Sequence, residues 1–585
     1  MKYRVKILSH DKTVTARKGE YLADRIQQAG INLSAYCQKR GLCGKCFIKI
    51  KEGLLPPLEK REKFLLERKR LAKNYRLACL YRIKSDLGIE VPEESILQET
   101  FVLTTGVQTP ITLAPAARKY HLQLERPKIS TPCSITETLN SHFRGKNLII
   151  PLGLVKELPG IIEQGKFQVT VVVYNDEEIL NVEPRNTLSK NYGLAVDLGT
   201  TTVVVELVDL NTGESLDTST AANSQMKYGS DVISRISYAY SDPKNLDKLR
   251  DSILQTLSQM IRQMLRRNRV DSSYVYEIVI AGNTTMNHLL LGMPVKSLAV
   301  APFNPVFARL LGLSMENLGF EINTYGKAYI APNIKSFVGG DISAGLMASD
   351  LLNRKGNYLF LDIGTNGEIL LKKENRFVVT STAAGPAFEG MNISCGTLAS
   401  PGAIYRVKHK KGLDFSTIGN KPATGICGTG LIDLIALWLE QGKISPQGKI
   451  IDENKEIPIT KNIYVNQKDI REIQLAVAAL KTGIRMILEE YHLKKEELDG
   501  IFVAGAFGNY LNIQNSIRIG LLPEIDEDKC IFIGNASLAG ARALLLSLPA
   551  REEIDSLVKK IQYLSLANNP LFQKYFIESL EFNKY

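Results

Sequence analysis

Four cysteines near the start of the chain carry the first recognisable chemistry: Cys37-x5-Cys43-x2-Cys46, then Cys79 after 32 further residues. Four thiolates can hold two ferric ions if a loop wraps the cluster and the fourth ligand arrives from a distant strand. Gly41 and Gly44 give that loop the freedom it needs. A structural zinc would use the same donors, but a zinc ribbon pairs two short Cys-x-x-Cys knuckles, whereas Cys79 is solitary. The expectation is a 2Fe-2S cluster on Cys37, Cys43, Cys46 and Cys79. The remaining cysteines, Cys133, Cys395, Cys427 and Cys530, are scattered, and Cys395 and Cys427 read as small fillers of glycine-rich turns.

A second chemistry lies in two acidic turns. In Asp197-Leu-Gly199-Thr200-Thr201-Thr202 the glycine lets backbone N–H groups approach phosphate oxygens, and the hydroxyls add donors. The carboxylate would repel a phosphate unless a hydrated Mg²⁺ lay between them. Asp362-Ile-Gly364-Thr365-Asn366-Gly367-Glu368 offers the same groups, and Ala504-Gly505-Ala506-Phe-Gly508 supplies a further glycine turn for a nucleoside. Two facing hairpins of this kind can clamp a polyphosphate. No Gly-Lys-Ser/Thr occurs, so the Walker loop is excluded as the phosphate cradle. On this reading Asp197 holds Mg²⁺ through water, while Asp362 and Thr365 orient the phosphates and the attacking water. Asp341 either positions that water or caps the helix beginning near Ile342.

Each turn needs a strand before it and a strand after it. Gly193 to Val208 and Tyr358 to Leu371 both read as a buried strand, a tight turn and a returning strand, and Ile278-Val-Ile-Ala-Gly282 is echoed by Ile501-Phe-Val-Ala-Gly505. Two related lobes are implied. Between the repeats, Leu246 to Leu265 carries apolar residues at helical spacing, which is core packing. In the helix Ile473 to Tyr491, Lys481 reads first as an exposed lysine on an ordinary helix, with an approach of Lys481 and Gly483 to the nucleotide as the alternative. Near the front, alternation over residues 2 to 8, a helix Tyr21 to Gln28, a strand Phe47 to Lys51, a charged helix Arg61 to Lys73 and a strand opening at Arg76 frame the cysteine loop. The units expected are 1–93, a linker 94–112, a small α+β unit 113–187, and two lobes over 188–585.

Charge separates the same units. Residues 1–84 hold 22 Lys and Arg against 7 Asp and Glu, a net of +15, while the remainder carries 51 against 54. Without a helix-turn-helix, finger or stacking aromatics beside it, one basic domain on a near-neutral body points to an acidic protein partner and away from nucleic acid. Lys39, Arg40 and Lys45 would favour the reduced cluster, so its potential is expected at or above about −400 mV. There is no run of 18 apolar residues and no secretory segment, so a cytoplasmic chain without a membrane span is expected. The six histidines are dispersed and read as structural.

The acidic hairpins and later glycine turn resemble the phosphate-1, phosphate-2 and adenosine motifs of the superfamily of acetate and sugar kinases, heat-shock chaperones and actin (ASKHA). The cysteine pattern is similar to plant-type and adrenodoxin-type 2Fe-2S ferredoxins. Joined to Tyr228-Gly-Ser-Asp-Val-Ile-Ser-Arg235, Ala281-Gly-Asn-Thr-Thr-Met-Asn-His288, Val338-Gly-Gly-Asp341-Ile-Ser-Ala-Gly345, Ala384-Gly-Pro-Ala-Phe-Glu-Gly390 and Gly425-Ile-Cys-Gly-Thr-Gly430, the whole chain resembles the reductive activators of corrinoid proteins.

That resemblance implies a multidomain α/β chain: a β-grasp ferredoxin domain, a small middle domain and a two-lobed ASKHA ATPase with RNase H-like lobes. It implies a 2Fe-2S cluster, ATP/ADP and Mg²⁺ as cofactors, and one-electron reduction of Co(II) to Co(I) coupled to ATP. The partners implied are a corrinoid protein met through its acidic surface and a low-potential electron donor, with a homodimer left open. It extends the ATP contacts to Gly282, Asn283, Thr284, Gly428, Thr429 and Gly430, and leaves Glu389 open between a lobe contact and a partner contact. A small-molecule kinase, or an ATP-gated chaperone or scaffold, with a regulatory ferredoxin domain would use the same residues.

Overall fold

Alternating Val5 and Ile7 turn inward from the strand Lys2–Ile7 while Lys2, Arg4 and Lys6 stay exposed, the period-two pattern of a sheet with one wet face. This strand is second in a five-stranded sheet ordered Lys12–Arg17, Lys2–Ile7, Leu87–Glu90, Phe47–Glu52 and Tyr75–Leu77. The helix Leu22–Gln28 closes its apolar face with Leu22, Ala23 and Ile26. The charged helix is shorter than expected, Lys60–Arg68. The last strand ends at Leu77, two residues before Cys79. The computed structural model describes residues 2–31, 33, 46–68, 71–92, 95–96, 112–127, 129, 132–143, 146–310, 312–409, 412–453, 455–505, 510–566 and 569–585. The expected linker 94–112 lies almost wholly outside them.

A three-stranded antiparallel sheet, Ala117–Gln123, Gln168–Tyr174 and Glu178–Pro184, follows, packed against the helices Ile135–Ser141 and Leu152–Gly165. Lys119 and Glu183 form an ion pair at 2.7 Å with both side chains nearly inaccessible.

The repeated motifs build two six-stranded sheets on one plan. In the first lobe, Tyr192–Leu198, Thr202–Asp209 and Ser215–Ala222 form an antiparallel meander, and Val275–Gly282 lies parallel to Tyr192–Leu198. In the second, Asn357–Ile363, Gly367–Lys373 and Arg376–Thr382 repeat the meander, with Gly500–Ala504 parallel to Asn357–Ile363. Each helix that follows a lobe packs on the other lobe. Gly340–Ala348 leaves the first lobe and buries Ile342 and Leu346 against Phe360 and Phe502 of the second. Ala536–Leu546 leaves the second and buries Leu538, Ala541 and Leu544 against Ala195, Val279 and Ala281 of the first. The two helices cross almost in backbone contact, since a Cβ added at Gly540 would stand 1.8 Å from the Ala344 carbonyl oxygen. Among the described residues no helix is long and apolar enough to cross a membrane.

Candidate active site

Asp197 and Asp362 end the first strands of the two meanders, and both turns open into one cavity of about 190 Å³ between the lobes. Of the residues expected to meet ATP and Mg²⁺, the structure brings together Asp197, Gly199, Thr200, Thr201, Thr202, Asn283, Asp341, Asp362, Gly364, Thr365, Asn366, Gly428 and Gly505. Gly505 has φ +105°, a conformation that costs an L side chain energy, and it approaches the neighbouring strand so closely that a Cβ there would stand 2.7 Å from the Ile363 carbonyl oxygen. Ala506 and Gly508 lie outside the described residues, as do Cys37, Cys43, Lys39, Arg40 and Lys45.

Five expected contacts do not line the cavity. Gly282 packs under Leu198, Gly367 under Leu480, and Gly430 under the Ile404 carbonyl. The Thr284 hydroxyl donates to the Lys335 carbonyl and the Thr429 hydroxyl to the Tyr405 carbonyl, each at 2.8–2.9 Å. These residues shape the turns from behind. Lys481 is also elsewhere, donating to the Asn583 carbonyl at 2.9 Å, and Gly483 packs against Ile369 and Thr382.

The turns are braced by buried polar groups. Asn223 Nδ2 donates to the Gly199 carbonyl at 2.8 Å, Asn283 Nδ2 to Thr200 Oγ1 at 3.0 Å, and the fully buried Arg235 guanidinium to the Thr200 carbonyl. Burial lowers the Arg235 pKa to about 9, with Asp231 and Glu389 opposing the shift. Asp341 lies in the first turn of its helix, capped by Gly339, and its Oδ1 accepts the Ile342 N–H at 2.8 Å. It is therefore not the N-cap weighed for it, and its side chain lines the cavity.

Asp197, Asp341, Asp362, Glu368 and Glu389 all face this space, and no Lys, Arg or His is among the described residues lining it. Desolvation and mutual repulsion push the carboxyls of Asp341, Asp362 and Glu368 up, Asp362 to about 7. Asp197 is raised by burial, partly offset by Asn535, whose Nδ2 donates to its Oδ2 at 2.8 Å. Such a donor set fits a cation. Among the described residues no three of these side chains stand close enough for a direct metal cage, so a Mg²⁺ here would be held through water. Asn535, Ser537, Glu368 and Arg235 were not among the expected site residues. A signal for the first two was present: Ile533-Gly534-Asn535-Ala536-Ser537 repeats Ala281-Gly282-Asn283-Thr284-Thr285, and Asn283 and Asn535 each cap the helix that follows.

In the N-terminal domain the ladder pairs Phe47 with Leu77, and the Ala78 N–H donates to the Cys46 carbonyl at 2.9 Å. Cys46 and Cys79 are thereby held at one end of the sheet, 0% and 1% exposed. Two buried thiols delivered by neighbouring strands fit half of a cluster's ligand set.

Two sheets of the same plan, crossed by exchanged helices over an acidic cavity, define a two-lobed fold of the actin, sugar-kinase and heat-shock-chaperone class, here joined to a ferredoxin-type domain. Residues 5–84 match the 2Fe-2S iron-sulfur cluster binding domain, 106–189 the RACo linker region, 192–354 the RACo middle region and 356–585 the C-terminal domain of RACo, the ASKHA domain. The chain is 30% identical to the corrinoid activation enzyme RamQ of Eubacterium limosum, with 96% of each chain covered. It is 29% identical to the [Co(II) methylated amine-specific corrinoid protein] reductase of Methanosarcina barkeri over 67% of this chain and 77% of that one. A solved structure, the reductive activator for corrinoid, iron-sulfur protein, superposes with a TM-score of 0.76 at 33% identity, covering 100% of this chain and 98% of the other. The chain belongs to the family of reductive activators of corrinoid proteins.

Proposed function

We propose that this chain reduces the inactive Co(II) state of a corrinoid protein to Co(I) by one electron and couples that step to ATP binding and hydrolysis. The observation that carries the proposal is the meeting of two acidic hairpins, one from each lobe, over one cavity in a chain that also has a 2Fe-2S domain. RamQ and the methylated-amine corrinoid protein reductase support the choice of partner.

Cys37, Cys43, Cys46 and Cys79 would hold the cluster, which when bound supplies a one-electron carrier between an external low-potential donor and the partner's cobalt. Asp197, steadied by Asn535, would hold hydrated Mg²⁺, while the N–H groups and hydroxyls of residues 199–202 and 364–366 take phosphate oxygens. Asp362, with its carboxyl near 7, is poised to orient the attacking water and accept its proton, and Asp341 steadies that water.

An electron moved uphill by 100 mV costs roughly 2.3 kcal/mol, so a gap of about 300 mV takes roughly 7 kcal/mol and draws on a large share of the free energy of ATP hydrolysis. The lobes need only bind the Co(II) and Co(I) partners with different affinity in their nucleotide states. The units 1–93, 94–112, 113–187 and 188–585 then divide the labour as electron domain, tether, small connecting domain and clamp. The basic electron domain would meet an acidic face of the partner, in the cytoplasm.

The test is an anaerobic visible spectrum of a Co(II) corrinoid protein mixed with this chain and a reductant. Co(I) absorption is expected with ATP and not without it; ATP-independent reduction, or none, overturns the proposal.

A further inference from the structure

Glu389 ends the short helix Pro386–Glu389 and reaches the seam between the two phosphate turns. The Thr365 hydroxyl donates to its Oε1 at 2.9 Å. Burial pushes its carboxyl up, and the Thr365 hydroxyl and N–H, the Thr201 side chain from the opposite lobe and the charge of Arg235 oppose that rise. Its Oε2 is buried without a hydrogen bond. Those hydroxyls and that N–H are the donors a terminal phosphoryl group would need. Two anions cannot share them at low cost in a cavity that, among the described residues, no cationic side chain lines.

We propose that Glu389 is an internal stand-in for the terminal phosphate: it bridges the turns of the two lobes in the nucleotide-free chain and is displaced when a nucleoside triphosphate enters. The inference rests on the nucleotide reading above and adds to it a means of telling ATP from ADP, because only the terminal phosphate contends for the Glu389 position. It also gives the displacement somewhere to go. A few residues on, the Ser394 N–H and hydroxyl donate to Asp469 Oδ1 at 2.8 and 2.9 Å, tying the same loop to the first turn of the helix Gln467–Glu490. Occupancy of the phosphate position is thereby linked mechanically to a long helix that also packs Leu480 beneath Gly367 of the second phosphate turn.

The test is Glu389→Gln in the full chain. The amide carbonyl still accepts from Thr365, but the charge that contends with phosphate is gone. ATP with Mg²⁺ should bind roughly tenfold more tightly than to the wild type, with ADP affinity changed by less than about threefold. ATP affinity that is unchanged or weaker, or a fall in turnover alone, overturns the displacement. Should the variant not fold, amide exchange of the wild type decides. Residues 386–397 are expected to lose protection with a non-hydrolysable ATP analogue and not with ADP, and equal protection in both overturns the inference. A wild-type chain that binds no ATP removes the nucleotide reading itself. One that binds ATP while Glu389→Gln binds it no better removes only the stand-in.

Discussion

At the scale of single residues, the site is a balance between burial and charge. Asp362 sits at a strand end with its carboxyl pushed from 3.8 to about 7 by desolvation and by Asp341, Asp197 and Glu389. Between those values the folded chain keeps a proton that the unfolded chain has released. Stability is therefore fully present at low pH and falls as pH rises through about 7. The neighbouring carboxyls are raised too and act with the same sign. The nucleotide-free protein should melt at a lower temperature at pH 8 than at pH 6. Asp362→Asn should flatten that dependence and, because Asp362 is only partly buried, stabilise the chain at pH 8 by about 2 kcal/mol. Thermal melts across this pH range decide it, and a slope equal to that of the wild type speaks against the buried-charge account. Asp197→Asn keeps the Asn535 contact feasible but removes the charge that would hold Mg²⁺. ATP hydrolysis should fall by on the order of a hundredfold or more while the visible spectrum of the iron-sulfur domain stays the same. Retained turnover would take Asp197 out of the mechanism.

Among the elements, the crossing of Gly340–Ala348 with Ala536–Leu546 matters most for keeping the lobes in register. At Gly540 the obstacle is the Ala344 backbone, with no flexible side chain to yield. Gly540→Val should part the two helices, cost about 1–3 kcal/mol, and reduce ATP affinity because Asn535 and Ser537 ride on the start of the displaced helix. Denaturant midpoints and nucleotide titrations test both halves, and a variant with full stability and affinity would show that the crossing tolerates separation. The meanders were legible in sequence because their apolar runs and acidic turns repeat. The exchange of helices was not, since a helix marked as apolar carries no record of which sheet it covers.

For the whole molecule, electron and nucleotide chemistries should separate cleanly. Cys79→Ala is expected to abolish the cluster spectrum and cobalt reduction while leaving ATP binding in place, because Cys79 belongs to a core of its own. Loss of ATP binding in that variant would show that the two sites are built as one. The connecting domain is anchored differently. Tyr174 of its central strand donates to Glu277 Oε1 at 2.6 Å, and Arg551 pairs with the same oxygen at 2.8 Å, with side chains 7% and 0% exposed. Arg551→Ala would leave Glu277 charged, buried and unpaired, at a cost of about 3–5 kcal/mol, whereas Arg551→Met with Glu277→Gln should regain much of it. Chemical denaturation of the single and double variants compares them directly.

Local spacing and repetition determined a good deal by themselves: the four-cysteine loop, the two acidic hairpins and the division of charge all follow from residue types a few positions apart. Such features survive in a one-dimensional string because the chemistry they serve is short-range. What the tertiary structure decided is which of these groups meet. It turned Asn535 onto Asp197 across 338 positions of chain, gathered five carboxylates around one space, and drew Gly282, Thr284, Gly367, Thr429 and Gly430 back from that space. Contacts between distant segments depend on how whole sheets and helices pack, and that packing is set by the sum of many apolar burials that no single stretch of sequence records.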